Sequence, residues 1–189
     1  MTDFLVSKYG PVFESLIDTS RATAIDEGSA NRDLYTSLQK LSLDNAFIEP
    51  ILDENYAAAC ISGVWLWNDF LDESHAISQE IHTSTGSFWH GIMHRRERDY
   101  SNSKYWFRKV GYHEVFDAVA QQAVGLAGGS DKYGLLDGKS WDPYAFVDLC
   151  QQAAHGDPAA LSYCQAVTRV EWELLFDYCY YRTIGALGD

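Results

Sequence analysis

The sequence predicts an all-α fold, a single-domain helical bundle of stacked antiparallel hairpins. Apolar residues recur at steps of three and four along several segments, sustained period-two alternation is absent, and no proline stands between Pro50 and Pro143 to break a helix. The 189 residues, 47% hydrophobic and 22% charged, suit one globular domain over 1–189 and exclude a disordered, collagen-like or disulfide-dependent chain.

The elements follow in order. Leu34, Leu38 and Leu41 form the first helical repeat. Asp53 and Glu54 then place negative charge at the start of a helix over 57–67, where the partial positive charge of a helix N-terminus favours it. The stretches 68–82 and 88–97 read as two further helices, and Phe116, Val119 and Ala123 mark another. A loop is expected at about 125–143, where Gly125, Gly128, Gly129, Gly134 and Gly138 cluster, separating the central hairpins from the C-terminal helices. Within it Gly134 to Ser140 falls one residue short of a phosphate-binding loop, whose first glycine would have to replace Tyr133, and no apolar strand precedes it. Asp157 and Pro158 supply an N-cap and a first-turn proline for a long final helix with Leu161, Cys164, Val167, Val170 and Leu174 along one face. About eight helices result.

The segment 88–111 resembles a tetratricopeptide unit in its turn and second helix, so a tetratricopeptide-like centre is expected. Asp99 and Tyr100 match the usual Gly-Asp-Tyr turn without its glycine, Ser103, Phe107 and Val110 fall where small, aromatic and small residues pack, and Gly91 takes the small position of the first helix. Asn68-Asp69-Phe70 echoes Arg98-Asp99-Tyr100 upstream, which implies two consecutive hairpins. His90 and His94 stand where the repeat carries Leu and Tyr, and the resemblance covers under a third of the chain. The longer run 70–111 also resembles an uncharacterised bacterial all-helical family with no assigned function, which implies a self-contained helical domain and no catalytic residues.

The formal charge of −13 repels phosphate backbones and anionic lipid headgroups, so nucleic acid and membrane are disfavoured partners. The first residues lack a basic stretch followed by an apolar one, and no run approaches about 18 uninterrupted apolar residues; a cytoplasmic protein is expected. Cys60, Cys150, Cys164 and Cys179 form no C-x-x-C pair, and the last three lie in apolar runs, which predicts buried, reduced thiols. Against the acidic background, Arg95, Arg96, Arg98, Lys104, Arg108 and Lys109 crowd one short window. They either pair with nearby carboxylates or form an anion-binding patch.

Two polar stripes complete the reading. On a helical wheel Asn68, Asp72, His75, Gln79 and His82 follow alternating steps of four and three, and His90, His94 and Glu97 repeat that spacing in the next helix. Neither stripe contains Lys or Arg, and such hydrogen-bonding side chains suit a desolvated, connected site. Three functions compete. The leading one is a helical domain binding a small anionic ligand or an acidic peptide through His75, Gln79, His82, Trp89, His90, His94, Arg95, Arg96, Tyr105 and Arg108. The second is a metal-dependent enzyme, with a divalent metal as cofactor on His90, His94 and Glu97 and with His75 or Asp72 as further ligand or general base. Gly91 after His90 excludes the zinc-protease pattern, which needs Glu there. The third is a buried polar network with no ligand. Ser74 and Ser78 read as helix-surface serines without a nucleophile elbow, Glu171 and Glu173 as residues of different faces, and a homo-oligomer stays open.

Overall fold

The computed structural model describes residues 4–186, so the two ends of the domain expected over 1–189 lie outside the described residues. Ten α-helices are found among them: α1 Pro11–Leu16, α2 Tyr35–Leu38, α3 Leu43–Ala46, α4 Glu54–Trp67, α5 Leu71–Ser78, α6 Ser84–Arg96, α7 Tyr100–Val110, α8 Val115–Leu126, α9 Pro143–Ala154 and α10 Pro158–Ile184. The fold is all-α. The stretch 125–143 is not all loop, because Leu136–Asp137 (β1) pairs antiparallel with Ser140–Trp141 (β2) across a turn that opens on Gly138, at a left-handed φ of 68°. Buried apolar residues from every α-helix fall in one core cluster.

Capping set by the sequence starts the long helices. Asp53 accepts the Asn55 N–H at 2.8 Å at the head of α4, and Asp157 accepts the Ala159 N–H at 3.0 Å ahead of Pro158 in α10. The 27-residue α10 packs along α4, α8 and α9, and α4 with α5 and α6 with α7 form the closest sequential pairs. Leu34 ends a 3-10 turn, Leu38 ends the four-residue α2 and Leu41 lies beyond both, so their spacing reports a short local coil rather than a full helix.

The helix expected over 68–82 is broken. α4 ends at Trp67, Asp69 takes a left-handed φ of 61°, and α5 spans eight residues only. Asp69 holds this costly conformation because its carboxylate joins Arg21 and Arg96 and accepts the Ser29 N–H at 3.1 Å. Arg98 does the same after α6, with φ at 63° where the tetratricopeptide turn has glycine. Asn68 consequently leaves the polar stripe: it is buried and donates from its amide to the carbonyls of Leu16 and Val64. The four cysteines are free and buried, and no described helix is long and apolar enough to cross a membrane.

Candidate metal centre

Three imidazoles converge where α5, α6 and α7 meet. His75 comes from α5, and His90 and His94, one turn apart, come from α6. One ring nitrogen from each lies within 4.8 Å of the others, and the ring centroids are separated by 4.6 Å (His75 to His90), 4.7 Å (His90 to His94) and 5.3 Å (His75 to His94). His90 and His94 are buried and His75 is half-buried.

Short polar residues hold the three helices at this distance. The Ser62 hydroxyl of α4 donates to the Ser74 carbonyl at 3.0 Å, which seats α5 on α4 next to His75. The Thr83 hydroxyl accepts the Gly86 N–H at 3.1 Å and starts α6, and the Asp99 carboxylate accepts the Asn102 N–H at 3.2 Å and starts α7. Ser103 donates to the Gly91 carbonyl at 2.7 Å, a close approach of α7 to α6 that leaves a side chain at Gly91 little room beside Phe107.

Hydrogen bonds engage Nδ1 of both histidines on α6. The Ser78 hydroxyl lies 3.3 Å from the His75 carbonyl and 3.0 Å from His90 Nδ1; with its proton on the carbonyl it accepts from Nδ1–H, the tautomer that leaves the His90 Nε2 lone pair free for an ion. His94 Nδ1 donates to Glu97 at 2.9 Å, and its Nε2 accepts from the Asn102 amide at 3.1 Å. Burial, then the neighbouring His94 and His75, pulls the His90 pKa down to about 3, and burial also lowers that of His94 against the opposing pull of Glu97. Both rings are neutral near pH 7 and need lose no proton to bind a cation.

The arrangement fits a metal ion. Tetrahedral zinc takes imidazole nitrogens at about 2.0–2.1 Å, which places them roughly 3.3 Å apart, so side-chain rotation of about an ångström closes the trio. His94 would exchange its Asn102 contact for the ion. The Glu97 carboxylate is engaged with His94 Nδ1, so beside a bound ion it would aim the ring as carboxylates behind metal-bound histidines do.

The other expected site residues are dispersed. Gln79 and His82 are exposed beyond the end of α5, and Asp72 is exposed on it. Trp89 is fully buried against Trp172 and Gly63, a core residue with no access to the trio. Arg95 pairs with Glu171 and lies 4.5 Å from the Phe146 ring, both charges being buried. Arg96 is spent on Asp69 and on the carbonyls of Leu66 and Asp26. Tyr105 and Arg108 are exposed together on α7. Ser74 and Ser78 are buried rather than on the surface, because both face the helices next to α5. Glu171 is fully buried and Glu173 pairs with Arg169.

Sequence reading missed Trp106, whose ring lies against His90 at 3.9 Å between centres with the planes tilted by 39°, and Ser78 and Asn102 as partners of the histidines. Their spacing on α7 offered a signal, since Asn102 and Trp106 are one turn apart. Among the cavities that lie outside the trio, two are next to the elements that build it or the core behind it. A groove of about 770 Å³, lined by Glu27, Arg32, Tyr35, Asp72, Glu73 and Glu97 among others, reaches Glu97, the hydrogen-bond partner of His94. A small cavity of about 20 Å³ between Trp67 and Trp172 receives the unpartnered Thr168 hydroxyl, room for about one water. Comparisons with protein-family models, curated proteins and solved structures find no match to this chain, which leaves the side-chain geometry as the ground for a functional reading.

Proposed function

We propose that the chain binds a divalent transition metal through His75, His90 and His94 and uses it as a reactive centre. The observation that carries this is the convergence of the three ring nitrogens within 4.8 Å. Three imidazoles leave a fourth position for water or substrate, the pattern of catalytic rather than structural zinc sites. An ion held by His75, His90 and His94 would supply Lewis acidity and would lower the pKa of water bound to it to about 7. His75 and Trp106 are only half-buried, so substrate reaches the centre from the surface between α5 and α7. The anion-binding reading through Arg95 and Arg96 loses support, because both guanidiniums are buried in internal ion pairs.

The test is metal titration of purified, untagged protein with Zn(II) or Co(II). About one equivalent is expected to bind. His75→Ala, at a half-buried position that tolerates truncation, should lower affinity by more than the roughly 10- to 100-fold that follows loss of an outer-shell partner such as Ser78 or Glu97. His82→Ala, exposed and outside the trio, should leave it unchanged. Absence of uptake, or equal loss in the His82 variant, removes the metal reading and returns the trio to a packed polar network.

A further inference from the structure

The cations of α6, α7 and the turn between them divide into two groups. Arg95, Arg96, Arg98 and Lys104 pair with Glu171, Asp69, Asp26 and Asp148. Arg108 and Lys109 have no carboxylate partner among the described residues, although the chain carries 27 acidic groups. They rest on aromatic rings instead. Lys109 Nζ lies 4.2 Å from the Trp106 ring centre and 4.9 Å from that of Tyr105, and the Arg108 guanidinium lies 5.8 Å from Tyr105. Ring faces position a cation without neutralising it.

Trp106 links this ammonium to the histidines. One indole contacts both Lys109 and His90, the latter at 3.9 Å between ring centres. The site is thus polarised. Its His94 end meets Glu97 and the acidic groove, and its His90 end meets an uncompensated positive charge across the width of one indole.

We infer that the ligand of the metal centre is a small molecule carrying two oxygen-donor groups, one for the open metal position and one oxyanion held by Lys109, with an apolar spacer against Trp106. This rests on the metal reading above. Entry from the Lys109 side avoids the carboxylates beyond Glu97, and a fixed ammonium accepts either a carboxylate or a phosphate group as a charge-assisted partner. A ligand with the metal-binding group alone would forgo that contact.

The test uses the full chain loaded with Co(II), whose visible absorption reports its coordination. Succinate should perturb the spectrum saturably and bind about tenfold tighter than propionate, the worth of one charge-assisted hydrogen bond. A second arm with 3-phosphonopropionate identifies which oxyanion Lys109 prefers by which compound binds tighter. Lys109→Gln, at an exposed position, should abolish the advantage of succinate over propionate while leaving Co(II) affinity intact. Lys132→Gln, which removes another ring-seated lysine 5.0 Å from Tyr133 in a different part of the fold, should preserve it. Equal binding of succinate and propionate, or an advantage that survives Lys109→Gln, overturns the inference and leaves the metal site standing. Failure of Co(II) to bind at all removes both.

Discussion

At the scale of single residues, His113 is a buried histidine with a structural task. Its Nδ1 accepts the Val115 N–H at 3.3 Å at the head of α8, so its Nε2 carries the proton and donates to the Thr85 hydroxyl at 3.0 Å. Charging the ring would turn Nδ1 into a donor facing another donor. Burial pulls its pKa from 6.5 to about 4, with the Glu114 carboxylate opposing and Arg182 assisting. Because the folded value lies below the unfolded one, the stabilisation is fully present above pH 6.5 and is lost as pH falls toward 4. The loss reaches about 3 kcal/mol. Urea unfolding of wild type and His113→Asn at pH 7 and at pH 4.5 checks this: the wild type should lose more stability between the two pH values. The depressed His90 and His94 contribute equally to both proteins, so equal slopes would contradict the role given to His113.

At the scale of elements, Gly63 sets how closely α4 meets α6 and α10. A β-carbon there would lie 2.9 Å from the fully buried Trp89 ring, while the Trp172 indole N–H donates to the Gly63 carbonyl at 2.8 Å. Gly63→Ala gains helix propensity of about 1 kcal/mol. It loses more through overpacking, typically about 1–3 kcal/mol, so a net destabilisation of roughly 1 kcal/mol is expected in denaturant titration. A more stable variant would show that Trp89 yields freely. Such contacts also mark what the sequence could reveal. The Asp53 and Asp157 caps and the apolar face of α10 are local, and each is legible. The i,i+4 pair of His90 and His94 was equally legible because α6 is an uninterrupted helix across it. The wheel failed over 68–82 because Asp69 adopts a left-handed turn stabilised by Arg21 and Arg96, partners far away in the chain. That break moves Asn68 into the core, and the separate end of α5 at Ser78 leaves His82 outside the helix, yet His75 is spared because it lies within α5. Trp106 entered the site through the packing of α7 on α6, a contact that depends on helix geometry rather than composition.

At the scale of the whole molecule, the question is how a chain of formal charge −13 uses its few cations. The Arg95–Glu171 pair joins α6 to α10 with both side chains at 1% exposure or less, and Phe146 of α9 closes over the guanidinium. Removing a charge from water is costly, so such a pair contributes little net stability over apolar residues of similar volume, whereas stranding one partner is severe. Arg95→Met should therefore cost about 3–5 kcal/mol by leaving the Glu171 carboxylate buried alone, and the double change Arg95→Met with Glu171→Leu should recover most of that loss. The exposed Arg182–Glu114 pair supplies the contrast: breaking it should cost at most about 1 kcal/mol. Denaturant midpoints for the single, double and exposed-pair variants separate these cases. If the double variant is as unstable as Arg95→Met alone, the packing of the Arg95 stem and Phe146, rather than the stranded carboxylate, holds α6, α9 and α10 together.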